Sequence, residues 1–289
     1  MFQGSPVSER ANQLPKEPSK KTGHNPPSRA GSSRASRKQT EFTLYGWNAC
    51  RRIFETRPQD ILRVFFSQSR SPQLKAVKDW CRRLKLPYRK LDQESLNKVA
   101  SSVHHEGCVM VVRPLKPPSV HEWIEAGLKK NQFALALDRV ENSHNVGAIL
   151  RSCAYFGAQG LLIGLGETQT AVNPSAARMA EGALEMLPML ECRSLPSALR
   201  DLKARGVMIA GADPASKKEL YASKLRLPCV MVLGHEQEGL SAPVKKRCDA
   251  LVRIPGSGDM ESLNVSVAAG ILLAELSRCA SRQFKTPPE

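Results

Sequence analysis

Residues 251–274 read LVRIPGSGDMESLNVSVAAGILLA: a short apolar run, a loop with a proline and two glycines, then polar residues that open a long apolar helix. The run LVRIP is one of a series in the second half of the chain. FALALD (133–138), GLLIGLG (160–166), VMIAGAD (207–213) and CVMVLG (229–234) precede it, with helical stretches between them. Short apolar runs that alternate with helices predict a parallel sheet covered on both faces. The last helix is predicted to begin near Leu263. It is apolar around most of its circumference, which calls for deep packing or a partner subunit.

Upstream, RPLKPPS (113–119) places three prolines in seven residues and reads as a linker. Before it the pattern is that of a small α/β layer domain, roughly αβαβαβ. A helix is expected around 44–56, then the run ILRVFF, a basic amphipathic helix in SPQLKAVKDWCRRLKL, a helix near 94–101 and the strand-like CVMVV. In the amphipathic helix Leu74, Val77, Cys81 and Leu84 keep helical spacing, while Arg82, Arg83 and Lys85 fall largely off that face. Residues 1–40 are rich in Pro, Ser, Gly and cations and are expected to be disordered. The expected organisation is therefore a basic tail (1–40), an α/β domain (41–114), a linker (115–130), a parallel-sheet domain (131–283) and a short tail (284–289).

The formal net charge of +16 is unevenly spread. Lys and Arg outnumber Asp and Glu by 8 to 2 in residues 1–40, by 17 to 9 in 41–130 and by only 18 to 16 in 131–289. Such a division suggests a polyanion-recruiting front and a nearly neutral working domain. Arg82, Arg83, Arg89 and Lys90 are the candidate RNA-contacting cations of the front. No apolar run reaches the roughly 20 residues of a membrane span, and MFQGSPVSER lacks the apolar centre of a secretory signal. A soluble cytoplasmic protein is the expectation. The eight cysteines stand singly, without a C-x-x-C pair, so buried reduced thiols are expected and no metal site.

Three segments of the second half carry polar residues where strands end and helices start. In DRVENSHNVGAILR, Asn145 can cap a helix and Arg151 can form a surface ion pair, or they can clamp a ligand at a strand end. In VMVLGHEQEGLS, Gly234 and Gly239 flank Glu236 and Glu238. They make a turn or allow a ligand to approach the backbone. In IPGSGDMESLNVSVA, Ser262 can be a helix cap, and Asn264 lies beside it. GLG at 164–166 lacks the remaining glycine of a dinucleotide fingerprint, which weakens a nicotinamide-dependent oxidoreductase reading.

Taken together, NVGAILR, LGHEQEGLS and IPGSGDMESLNVSVAAGILLAE resemble, in order and spacing, the three signature motifs of the SpoU/TrmH family of RNA ribose 2′-O-methyltransferases in the SPOUT superfamily. Residues 41–114 resemble more loosely the RNA substrate-binding domain that often precedes it. The resemblance implies an α/β fold with a deep trefoil knot, a homodimer, and S-adenosylmethionine as cofactor. It implies that Leu233, Gly234, Gly239, Ile254 and Leu263 line the cofactor site, mainly through backbone groups. Asn145, Arg151, Glu236, Ser262 and Asn264 match the family's catalytic set. His235, Gln237 and Gly256 depart from the usual pattern.

The implied reaction is methylation of a ribose 2′-hydroxyl in ribosomal or transfer RNA. A guanidinium holds its proton too tightly to be a good base. Arg151 is expected instead to hold the adjacent phosphate and stabilise alkoxide charge, with Asn145, Ser262 and Asn264 orienting it and the ribose. The competing reading is an RNA-binding protein on a catalytically degenerate methyltransferase fold.

Overall fold

Leu135 and Leu137 pack into one core of the molecule, while Ala134 and Ala136, from the same strand, pack into another. This alternation follows from the two-residue period of a strand and requires a sheet covered on both faces. The computed structural model describes residues 41–164 and 173–283. The expected tails (1–40 and 284–289) and part of the GLG stretch lie outside the described residues.

The larger sheet has six parallel strands in the order β10-β8-β9-β5-β6-β7. They are β5 (Phe133–Asp138), β6 (Leu161–Gly164), β7 (Met189–Cys192), β8 (Met208–Ala212), β9 (Cys229–Gly234) and β10 (Ala250–Val252). Helices α5 (Ser143–Phe156) and α9 (Val265–Gln283) supply Ile149, Leu150, Leu272 and Leu273 to one core. Helices α4 (Val120–Ala126), α7 (Leu195–Ala204) and α8 (Ala242–Lys245) supply Ile124, Leu199 and Val244 to the other. Each fully buried leucine or isoleucine contributes about 1.5–3 kcal/mol.

Strand β7 was not among the expected runs. Its sequence MLEC follows Pro188 and carries Glu191, so it is too short and mixed to stand out. The segment 115–130 holds α4, capped by the Ser119 hydroxyl and seated on the second core through Ile124.

The smaller sheet, ordered β1-β4-β2-β3, uses β1 (Phe42–Tyr45), β2 (Ile61–Phe66), β3 (Tyr88–Lys90) and β4 (Cys108–Val112). Helices α1 (Trp47–Thr56), α2 (Lys75–Leu84) and α3 (Gln93–Ala100) accompany it. Leu44 and Tyr45, expected at the start of a helix, belong instead to β1, which pairs antiparallel with β4. Thr and aromatic residues favour that state. Gly46, at φ 97°, then turns the chain into α1.

Buried contacts join the two sheets' surroundings, and one apolar cluster contains residues from both. Arg57 makes a two-pronged contact with Glu185, Nε to Oε2 at 2.7 Å and Nη2 to Oε1 at 3.0 Å, with side chains only 11% and 7% exposed. Burial opposes the charge on Arg57. The Glu185 carboxylate more than offsets it and keeps the guanidinium above its ordinary value.

Candidate active site

The carboxyl ends of β5 and β9 lie side by side, with Asp138 in register with Gly234. This is the edge of an open parallel sheet where ligands bind. Beyond β9 the chain turns back sharply. His235 N–H donates to Gly239 O (3.1 Å) and Gly239 N–H to His235 O (2.9 Å). The turn passes so close to Gly234 that a Cβ there would stand 2.2 Å from the Gly239 carbonyl carbon. Only glycine fits.

The turn is fastened by side chains. His235 Nδ1 accepts from the N–H groups of Gln237 and Glu238, both at 3.2 Å, so that nitrogen carries no proton. Buried Asp138 accepts from Ser241 N–H at 2.6 Å. Arg139 pairs with Glu238 and also donates to Gly239 O (3.3 Å). The Arg139 hydrogen bond holds the Glu238 carboxyl below the usual carboxylate range.

The three segments singled out in the sequence meet here. Asn264 Oδ1 accepts from Ser266 N–H (2.9 Å) and Ser266 Oγ (2.6 Å), which caps α9 and fixes the amide's direction. Asn264 Nδ2 then donates to Asn145 Oδ1 (3.2 Å), and Asn145 Nδ2 donates to Glu236 Oε1 (3.0 Å). Every oxygen in this relay accepts and every nitrogen donates. The capping roles differ from those expected. Asn142 caps α5, accepting from His144 and Asn145 N–H, which frees the Asn145 side chain for the site. Asn264, rather than Ser262, caps α9.

Ser262 and Leu263 are exposed in the loop before α9. Leu233 is buried at the end of β9, in register with Leu137, and Ile254 packs against the apolar core. Among the described residues, the loop 254–263 makes one internal hydrogen bond, Asp259 N–H to Ser257 Oγ (3.3 Å).

Arg151 stands outside the amide relay. Its Nη1 contacts Glu181 Oε1 at 2.7 Å, and Glu181 Oε2 accepts from Asn48 Nδ2 (3.3 Å) on α1. Helix α6 (Pro174–Met179) brings Glu181 within reach because α5 offers Gly147 at the crossing. A Cβ there would lie 2.6 Å from Ala176 O. Glu181 itself holds φ 47°, a left-handed backbone uncommon outside glycine.

Glu181, Asn48 and Arg139 were not among the residues chosen from the sequence. Arg139 could have been suspected, as a cation directly after a strand-ending aspartate. Nothing local marks the other two.

Of the basic front, Arg82 pairs with Asp79 (2.6 Å) and donates to Tyr88 Oη (3.2 Å). Arg83 lies over the Trp80 ring at 5.5 Å. Arg89 and Lys90 are exposed on the edge strand β3. No group of three or more His, Cys, Asp or Glu side chains among the described residues could hold a metal ion.

The profile of the SpoU rRNA methylase family matches residues 132–274, and that of RNA 2′-O ribose methyltransferase substrate binding matches 43–118. The chain is 32% identical over 244 residues to a 23S rRNA (guanosine-2′-O-)-methyltransferase RlmB of Xanthomonas campestris pv. campestris, covering 83% of this chain and 97% of the relative. The chain belongs to the SpoU rRNA methylase family. A second relative, the uncharacterised tRNA/rRNA methyltransferase YfiF of Escherichia coli O157:H7, is 32% identical over 236 residues, which is 81% of this chain and 67% of that one. The SpoU methyltransferase AviRb of Streptomyces viridochromogenes, solved with AdoMet, superposes with TM-score 0.69 at 22% identity over 86% of this chain and 92% of its own. The fold is accordingly the α/β SPOUT type, with a substrate-binding domain in front.

Proposed function

We propose that this chain transfers the methyl group of S-adenosylmethionine to a ribose 2′-hydroxyl of ribosomal or transfer RNA. The observation that carries the reading is the relay Glu236–Asn145–Asn264, which joins all three motifs at the carboxyl edge of a parallel sheet. The RlmB relatives are named for ribose methylation of 23S rRNA, and the AviRb structure holds AdoMet.

The residues present suit that cofactor. A nucleoside with an amino-acid arm needs apolar faces and backbone donors and acceptors. Leu233 and Ile254 frame the site from the core, Gly234 and Gly239 leave it clear of side chains, and the exposed, sparsely bonded loop 255–263 offers backbone groups and the exposed Leu263 side chain. When bound, S-adenosylmethionine supplies an electrophilic methyl group. The protein's task is to place the 2′-oxygen and favour its anion. Arg151, permanently charged, holds the neighbouring phosphate and lowers the cost of alkoxide formation, with Glu181 as its counter-ion in the absence of RNA. Asn145 and Asn264, fixed by Glu236 and by the cap of α9, orient the ribose together with Ser262.

We further infer a homodimer, supported by exposed Tyr155 on α5, exposed Met260 and Leu263 in the loop before α9 and exposed Val267 on α9. Sedimentation of a monomer at micromolar concentration would remove that part of the reading. A trefoil knot is inferred as well, supported by α9, which follows edge strand β10 yet packs on α5 and the central strand β9. We infer a cytoplasmic location as well, supported by the rRNA and tRNA methyltransferase relatives. No helix among the described residues is long and apolar enough to cross a membrane.

Incubation with tritiated S-adenosylmethionine and unmethylated rRNA and tRNA transcripts tests the function. Label should appear in alkali-resistant dinucleotides, the mark of a blocked 2′-hydroxyl. Absence of label in both RNAs would overturn the proposal.

A further inference from the structure

A cleft of about 590 Å³ opens between the turn Gln68–Arg70, the start of α3, the loop 103–107 and α6. It contains none of the motif residues. Its size is that of a site for a small organic ligand, in the usual range of roughly 300–1,000 Å³. Its lining is chiefly polar and includes Ser67, Ser69, Arg70, Gln93 and Arg178.

Arg70 is held ready for an anion. Its guanidinium lies 4.9 Å over the Trp47 ring, and its Nε donates to Glu106 O at 2.8 Å. The two Nη groups make no hydrogen bond among the described residues. A guanidinium stacked on an aromatic face, with its fork open, suits a phosphate. Among the described residues Glu106 is the only carboxylate in the lining, and both its oxygens are engaged: Oε1 by Arg178 Nη2 (3.0 Å) and Oε2 by Trp47 N–H (3.0 Å). The Ser67 and Ser69 hydroxyls, 2.9 Å apart, bond to each other and leave one O–H as a donor, and exposed Val103 at the rim adds apolar surface for a base. The lining thus combines a free cationic fork, hydroxyls, an amide and an apolar lip, the chemistry that recognises one nucleotide of a single strand.

The cleft also reaches the catalytic domain. Arg178, on α6, lines it, and Glu181, three residues on, holds Arg151. We propose that this cleft binds a nucleotide of the substrate RNA flanking the methylated one, with its phosphate on Arg70. The proposal rests on the reading of the protein as an enzyme acting on RNA.

The full-length protein, photocrosslinked to an unmethylated rRNA transcript carrying 4-thiouridine, tests it by mass spectrometry of the linked peptides. Crosslinks within 67–73, 93, 103–107 or at 178 are expected. In parallel, Arg70→Gln should raise KM for the transcript by about tenfold with little change in kcat, and flatten the salt dependence of binding by about one phosphate contact. Gln93→Glu tests the cleft without disturbing Arg70's packing. It adds an acid at the exposed first position of α3, where the helix tolerates one, and should also raise KM. Arg200→Gln, an exposed cation on α7 at the other face of the sheet, should leave KM unchanged.

Crosslinks confined to α2 and β3, or an unaltered KM in both cleft variants, would overturn the proposal. Loss of the cleft crosslinks on addition of micromolar adenosine monophosphate would assign the cleft to free nucleotides and overturn it too. Crosslinking does not require turnover. Cleft crosslinks without methyl transfer would therefore sustain this site while sinking the proposed activity.

Discussion

Asn145 and Glu236 are 91 positions apart in sequence, and their side chains meet at 3.0 Å across the ends of two neighbouring parallel strands. The carboxylate does not need to act on substrate to matter. It fixes the Asn145 amide so that its oxygen receives the Asn264 amide at 3.2 Å.

Glu236→Ala should therefore lower kcat for methyl transfer far more than it lowers melting temperature. A hydrogen bond to a charged group is worth about 1.5–3 kcal/mol, which corresponds to a loss of roughly 10- to 150-fold. Glu236→Gln can still accept from Asn145 and should retain more activity than the alanine variant. Steady-state rates at saturating RNA and S-adenosylmethionine decide it. Equal activity of wild type and Glu236→Ala would remove the relay from the mechanism.

The relay was legible in the sequence because its members sit within short motifs, each at a strand end or helix start. The parallel sheet was legible for the same local reason, as apolar runs separated by helices. Strand β1 was not. Four residues before Gly46 do not distinguish a strand from a helix start until β4 supplies the pairing partner about 65 residues later. Glu181 was equally hidden, since its meaning comes from Arg151, 30 positions away, and Asn48, 133 positions away. Tertiary contacts of that kind leave no periodic trace.

Glu181→Asn tests the counter-ion role. The Arg151 and Glu181 side chains are 59% and 40% exposed, so the pair contributes at most about 1 kcal/mol to stability. Asparagine accepts a left-handed backbone more readily than glutamate, which offsets part of that loss. Melting temperature should thus stay nearly constant. Freed from its carboxylate, Arg151 should bind phosphate more tightly, and KM for RNA should fall by about two- to fivefold at low salt, with the effect shrinking as salt rises. A raised KM would show that Glu181 positions Arg151 rather than neutralising it.

Gly234→Ala and Gly256→Ala form a contrasting pair. A methyl group at 234 would press on the backbone of Gly239 and Leu240, at 2.2 and 2.4 Å, and backbone cannot move aside as a side-chain end can. The turn that presents Glu236 must shift, at a cost of about 1–3 kcal/mol or more, with loss of activity. At Gly256 nothing lies within 4 Å of the added Cβ, so stability should hold within about 0.5 kcal/mol. Chemical denaturation of the two variants measures both. A Gly256→Ala protein that folds normally yet binds S-adenosylmethionine poorly would place the cofactor against that open space.

His105 sets a pH dependence away from the site. The ring is fully buried, its Nδ1 accepts from Gly107 N–H (2.9 Å), and its Nε2 lies 2.9 Å from Asn97 Oδ1. With Nδ1 unprotonated, Nε2 carries the proton and the ring is neutral. Burial pushes its pKa below the ordinary value of about 6.5. On acidification the unfolded chain takes up this proton first. The contribution of neutral His105 is complete above the unfolded value and is lost as pH falls from there through the lower folded value. Melting temperature should decline as pH drops from 7.5 to 5.5, and His105→Gln, which keeps a donor and an acceptor but cannot titrate, should flatten that decline while lowering stability at pH 7.5. Parallel pH profiles for the two proteins would assign the acid sensitivity to another group.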